Sequence, residues 1–236
     1  VYKRQEQAFD MDLWDECRGP LSDWSDADAV GGGCDLGGRD DLAAFATVAR
    51  FLVEEVEDEK GELQPVWRYE ARATCYISED TPRDLEKEPF AEWIYTDKLH
   101  RVKYPLKEMR EQMVDDFYAY RLHDIAYDPA GAQYFAEELE NDGLPVASMT
   151  QTYAQFTEPI NELMAAIREG RFVHDGDPVL RWCVSNAVAV KDRQDRWMFD
   201  KSKSSDKIDA AVALTMAFRR AMVAPRRSAG NLYITG

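Results

Sequence analysis

Between residues 66 and 77 the side chains alternate: Trp67, Tyr69, Ala71, Ala73, Cys75 and Ile77 on one side, Arg68, Glu70, Arg72 and Thr74 on the other. A period of two sets one face on a core and predicts a half-buried antiparallel strand. Farther along, Leu106, Met109, Met113, Phe117 and Tyr120 recur at helical spacing. A chain that carries both periods has to pack helices on a sheet.

Two apolar runs, 29–36 and 42–53, precede the alternating segment and predict a three-strand meander. After the helix at 106–120 come a short run at 123–127, a helix over 131–140 stopped by Gly143, a strand candidate at 145–149, and an amphipathic helix over 156–169 ending at Gly170. Residues 178–186 read as helix and 187–191 as extended. Ser205 and Asp206 are expected to cap a last helix running to about residue 223. The expectation is a mixed α/β sheet with helices on its faces. Residues 1–28 lack a period and read as a lead-in or linker, 29–224 as the folded domain, and 225–236 as a basic tail. The first five residues, VYKRQ, match the translation of a transposon adapter end, so they are expected to be foreign to the natural gene and an upstream domain to be missing.

The 236 residues carry a net charge of −16, which excludes a general nucleic-acid-coating surface; contact with a polyanion has to be local. Residues 191–207 are mixed but locally basic, and the four arginines after Asp209 are followed by no further acid. The polar start and the lack of a long apolar run predict an intracellular protein with neither signal peptide nor membrane span. Cys17, Cys34, Cys75 and Cys183 form no C-x-x-C pair and read as reduced packing residues.

Three carboxylates stand at the ends of elements. Asp35 closes the first strand in GGGCDLGG, Asp128 closes HDIAYD, and Asp209 lies at the start of the last helix. Strand ends are where sites gather in such sheets. Three acids brought close need cations, and hard oxygen ligands select magnesium or manganese. Two ions about 4 Å apart support in-line hydrolysis of a phosphodiester. Taken singly, each acid has a plainer explanation: a turn aspartate at 35, an Asp-Pro turn at 128, a first-turn acid favoured by the helix dipole at 209. The glycines before Asp35 are read as letting a ligand approach closely. His174 in FVHDGDP reads as structural; Asn186 either holds a loop beside the site or, as the simpler reading, makes a capping or turn bond.

In order, GGGCDLGGRDDLAAF, IAYDPAGAQYFAEEL and KSKSSDKIDAAVALTMAF resemble the nuclease domain of bacteriophage large terminase subunits, and the intervening EPFAEW and 151–192 fit the same pattern. The resemblance implies a ribonuclease H-like fold over 29–224 and a metal-dependent endonuclease that cuts concatemeric DNA during genome packaging. It implies Asp35, Asp128 and Asp209 as catalytic and metal-binding residues for two Mg²⁺ or Mn²⁺ ions. Asp41 is implied as an auxiliary acid, with Asp40 beside it as the alternative. Lys201, Lys203 and Lys207 are expected on the DNA backbone, or else as a balance for local acids. The implied partners are double-stranded DNA, an upstream ATPase domain, the small terminase subunit and the portal, in the host cytoplasm and outside the virion. No G-x-x-x-x-G-K-[ST] occurs, so no ATP site is expected in this chain. Another ribonuclease H-like nuclease such as a junction resolvase, and a non-catalytic acidic docking module, are the competing readings. An exonuclease would carry Asp-x-Glu on its first strand, where this chain has Asp35-Leu36-Gly37.

Overall fold

The computed structural model describes residues 7–37, 41–86 and 89–227. In chain order the elements are α1 (Met11–Glu16), β1 (Ala29–Asp35), β2 (Ala43–Glu57), β3 (Leu63–Ser78), α2 (Phe90–Tyr95), β4 (Leu99–Val102), α3 (Pro105–Tyr120) and β5 (Ile125–Tyr127). There follow α4 (Pro129–Asn141), β6 (Val146–Ser148), α5 (Tyr153–Arg168), β7 (Phe172–His174), α6 (Pro178–Asn186), the hairpin of β8 (Ala189–Lys191) and β9 (Trp197–Phe199), and α7 (Asp209–Val223). Among the described residues seven strands make one sheet, ordered β4-β3-β2-β1-β5-β6, with β7 also on β3. The meander β1-β2-β3 is antiparallel, whereas β5 joins β1, and β6 joins β5, in parallel. This is the mixed α/β sheet that the change of period requires.

Each face of the sheet carries a core. One contains Tyr69, Phe156, Phe172 and Phe218 with the small residues of α7; the other contains Phe45, Met109, Met113 and Ile125. Burying each of these large side chains contributes roughly 1.5–3 kcal/mol. Along β1 the side-chain positions alternate between them. Val30 and Cys34 belong to the second core, so Gly31 and Gly33 face α7. A Cβ at Gly33 would lie 2.4 Å from the backbone N of Ala217 and 2.5 Å from the carbonyl O of Ala213; one at Gly31 would lie 2.4 Å from Ala221 N. These glycines are therefore required by a helix backbone pressed on the strand, which corrects the expectation that they clear space for a ligand. Gly37 serves a different end, a turn at φ +60°.

The segment expected to be a lead-in is packed into the domain. Trp14 of α1 is fully buried. Trp24 donates its indole N–H to Glu70 at 2.9 Å, and Ser22 reaches the same carboxylate through N at 2.7 Å and Oγ at 2.6 Å. Arg68 completes the shell around Glu70 at 2.6 Å. A six-residue helix is too short to show a period, so the sequence pattern hid it. Residues 1–5, and the tail from residue 228 on, lie outside the described residues; Arg227 donates to Ala27 O at 2.7 Å.

Gly33→Ala is expected to destabilise the fold by about 3 kcal/mol in urea unfolding, because the new Cβ meets helix backbone that cannot yield without moving α7. Glu70→Ala should cost about 3–5 kcal/mol by stranding Arg68 and Trp24. Burial raises the Glu70 carboxyl's pKa, but the Ser22, Trp24 and Arg68 contacts outweigh it and the net shift is downward. The stability it contributes is thus present above its unfolded pKa of about 4.3 and lost as pH falls through the lower folded value, a slope that Glu70→Gln should remove.

Candidate active site

Register, not sequence proximity, brings the acids together. Cys34 pairs with Tyr127 across the parallel strands β1 and β5, so the residues that follow, Asp35 and Asp128, leave the same sheet edge side by side. Asp128 also caps α4, accepting from Ala130 N at 3.0 Å. Helix α7 runs back along β1 with Ala213, Ala217 and Ala221 over Gly33 and Gly31. One further helical turn towards its start brings Asp209 over the end of β1. Asp35, Asp128, Asp209 and Asp41 then line one cleft of about 260 Å³ with Lys201 and Gln151. Asp40 lies outside the described residues.

Asp35 and Asp209 are buried, at 8% and 4% exposure. Burial, and then the Asp35 carboxylate, push the pKa of Asp209 up to about 6, against the pull of Lys201 and Lys207. Its Oδ2 is buried and accepts no hydrogen bond among the described residues. Lys201 donates to Asp35 Oδ2 at 3.0 Å. Burial disfavours the Lys201 ammonium, yet Asp35, assisted by Asp209 and Asp128, holds its pKa above the ordinary value. Lys207 pairs with Asp41. Lys203 instead pairs with Asp200 at 2.8 Å and is not among the residues lining the cleft.

A second lobe of about 390 Å³ continues from the first, sharing Asp41, Lys201 and Asp209 and adding Arg83, Ser204, Asp206 and Lys207. Arg83 carried no signal in the sequence: it sits in the irregular loop after β3, and no motif marks it. The loop holding the lysines is fastened by Asn186, whose Nδ2 donates to Lys207 O at 3.2 Å while its Oδ1 accepts from Ser205 Oγ at 2.8 Å. Ser205 and Asp206 were expected to cap α7; the helix begins at Asp209, with Ile208 at the cap position and no side-chain bond. Ser205 is drawn to Asn186 and Asp206 to Arg83, so neither is left for the helix. His174 is remote from this chemistry: its Nε2 donates to Trp14 O at 2.9 Å, its Nδ1 accepts from Gly176 N at 3.0 Å, and its ring stacks on Trp14 at 4.5 Å.

Among the described residues no trio of His, Cys, Asp or Glu already stands in ligand geometry. The donor chemistry nevertheless fits a hard divalent cation. A buried carboxylate oxygen that accepts no hydrogen bond among the described residues, beside a second carboxylate and level with a third, leaves negative charge that Lys201 and Lys207 do not fully offset, and all-oxygen donors suit magnesium or manganese.

The raised Asp209 pKa sets a pH dependence. An acid that binds its proton more tightly when folded lowers stability as pH climbs from its unfolded value of about 4 to its folded value of about 6. In a chelator-containing buffer, Asp209→Asn should be more stable than the parent at pH 7 by about 3 kcal/mol, with the difference vanishing towards pH 4. Equal stability of the two at pH 7 in urea unfolding would sink this account of the site.

A family model described as "Terminase large subunit, endonuclease domain" matches residues 84–224. Protein YmfN of Escherichia coli (strain K12) is 40% identical over 98 residues, 41% of this chain and 22% of that protein. The large terminase subunit of Enterobacteria phage HK97 is 26% identical over 194 residues, 78% of this chain and 36% of that one. The crystal structure of the HK97 bacteriophage large terminase superposes with a TM-score of 0.73 at 23% identity, covering 91% of this chain and 43% of that chain. The chain thus spans less than half the length of each of these relatives, and its fold is the ribonuclease H-like mixed sheet. Since the family match runs over more than half of its residues, the chain belongs to the endonuclease domains of terminase large subunits.

Proposed function

We propose that this domain is a divalent-ion-dependent endodeoxyribonuclease that cuts concatemeric phage DNA at the start and end of genome packaging. The observation that carries the proposal is the meeting of Asp35, Asp128 and Asp209 at one cleft, with a buried Asp209 oxygen that has no donor among the described residues. These three carboxylates would hold two Mg²⁺ or Mn²⁺ ions, with Asp41 as an auxiliary group. Such ions supply acidity for an attacking water and charge for the leaving oxygen of a phosphodiester. The chain's own part is to fix the carboxylates on a rigid sheet edge and a helix end, and to offer Lys201 and Lys207 to the DNA backbone. Lys201, which donates to Asp35, would exchange that partner for a phosphate.

The setting follows from the family. The domain would work with an ATPase domain, a small terminase subunit and a portal, in the host cytoplasm; no helix among the described residues is long and apolar enough to cross a membrane. A purely acidic docking module has no use for acids buried against one another, since isolated buried charge is destabilising.

The test is plasmid cleavage by the purified chain with magnesium or manganese, beside Asp35→Ala, Asp128→Ala and Asp209→Ala at equal folded content. Cleavage should fall at least 100-fold in each variant, the scale of losing a principal electrostatic group in an active site, and should stop on chelation. Cutting that survives in all three variants would remove the proposal.

A further inference from the structure

We propose that Arg83 is a DNA-positioning residue that grips a backbone phosphate in the second lobe of the cleft, next to the phosphate to be cut. The inference rests on the nuclease function proposed above. Arg83 comes from the loop after β3, yet it lines the same lobe as Lys201, Ser204 and Lys207. Its guanidinium lies 5.0 Å over the ring of Phe90, itself buried at 6% exposure, so the plane is oriented by a fixed core residue.

What distinguishes Arg83 is how loosely its fork is held. Both terminal nitrogens reach the single oxygen Oδ1 of Asp206, each at 3.4 Å. The forks of Arg181 and Arg220, by contrast, close on two oxygens: Arg181 on Asp15 at 2.6 and 2.7 Å, Arg220 on Asp124 at 2.6 and 2.5 Å; Arg50, which puts two nitrogens on one Asp28 oxygen, does so at 3.1 and 2.5 Å. Charge-assisted bonds of full strength span about 2.7–2.9 Å, so the Asp206 contact holds Arg83 in place without saturating it. A phosphate offers the two-oxygen partner that a planar fork fits best. Asp206 Oδ1 also accepts from Lys207 N at 2.9 Å, which ties the position of Arg83 to the loop that carries the lysines. In a chain of net charge −16, the lobe gathers three cations, Arg83, Lys201 and Lys207, beside Asp41, Asp206 and Asp209; divalent cations held by the acids would leave it net positive toward a polyanion.

The experiment is a fluorescence-anisotropy titration of a labelled DNA duplex across a salt series, with calcium in place of the cutting ion. It compares the parent chain, Arg83→Ala, Arg83→Lys, and Arg168→Ala as a charge control from the separate α1–α5 surface. Arg83→Ala should weaken duplex binding roughly tenfold at low salt and reduce the salt slope by about one. Arg83→Lys should restore the slope but not the full affinity, and Mn²⁺ affinity by calorimetry should match the parent in both. An Arg83→Ala protein with parent-like melting, affinity and slope overturns the assignment while leaving the nuclease proposal standing. An effect equalled by Arg168→Ala also overturns it, as general charge loss. A parent chain that neither binds duplex at low salt nor cuts plasmid overturns both.

Discussion

The contact between the backbone of α7 and the glycines of β1 sets the position of everything at the site. Strand residues two apart are spaced about 6.6 Å and helix residues four apart about 6 Å, so Gly31 and Gly33 can stay in step with Ala221, Ala217 and Ala213 over two repeats. With no side chain on the strand and the backbone of Ala213, Ala217 and Ala221 facing it, the two backbones come close enough for the helix start to reach the strand end. Two further anchors stop the helix from sliding. Arg50, buried in β2, donates to Met222 O at 2.8 Å and Ala224 O at 3.0 Å, and Arg220 closes a fork on Asp124, just before β5. The strands and the helix that carry the acids are thereby locked in one frame, as a constellation of acids requires.

That frame concentrates like charge where the fold can least screen it. Asp209 is buried beside Asp35, and its pKa is pushed up to about 6; Lys201 supplies a direct ammonium contact to Asp35. The start of α7, with no side-chain cap, adds the positive end of a helix dipole to the same place. Stability is given up for a site that gains when positive charge enters. Lys201 and Lys207 on one loop, with Arg83 beside them, bring positive charge to the cleft of an otherwise acidic chain.

Much of this was legible in the sequence. The period-two segment became β3, and the helical spacing of Met109 and Met113 became α3; the turn signals at Gly143 and Gly170 fell at helix ends, where both adopt positive φ. Long periodic segments are readable because burial of one face repeats many times. The short pieces were not: α1, α2, β4, β7 and β9 run for three to six residues, too few for a period, and they form because the existing sheet or core offers partners. The cap of α7 was misplaced for a related reason, since Ser205 is bonded to Asn186, and Asp206 to Lys207 N and Arg83, rather than to the first N–H groups of the helix.

By itself the sequence determined the two periods, hence a sheet with helices, and the identity and order of the acids that its motifs mark. Only the tertiary structure decided that the glycines serve α7, that Asp35 and Asp128 stand level through the Cys34–Tyr127 register, that Lys203 turns to Asp200 while Lys201 and Lys207 turn to the acids, and that Arg83 joins them. The physical reason is that local pattern reports which face of an element is buried, whereas register, helix approach and the choice among competing ion pairs depend on groups far apart in the chain.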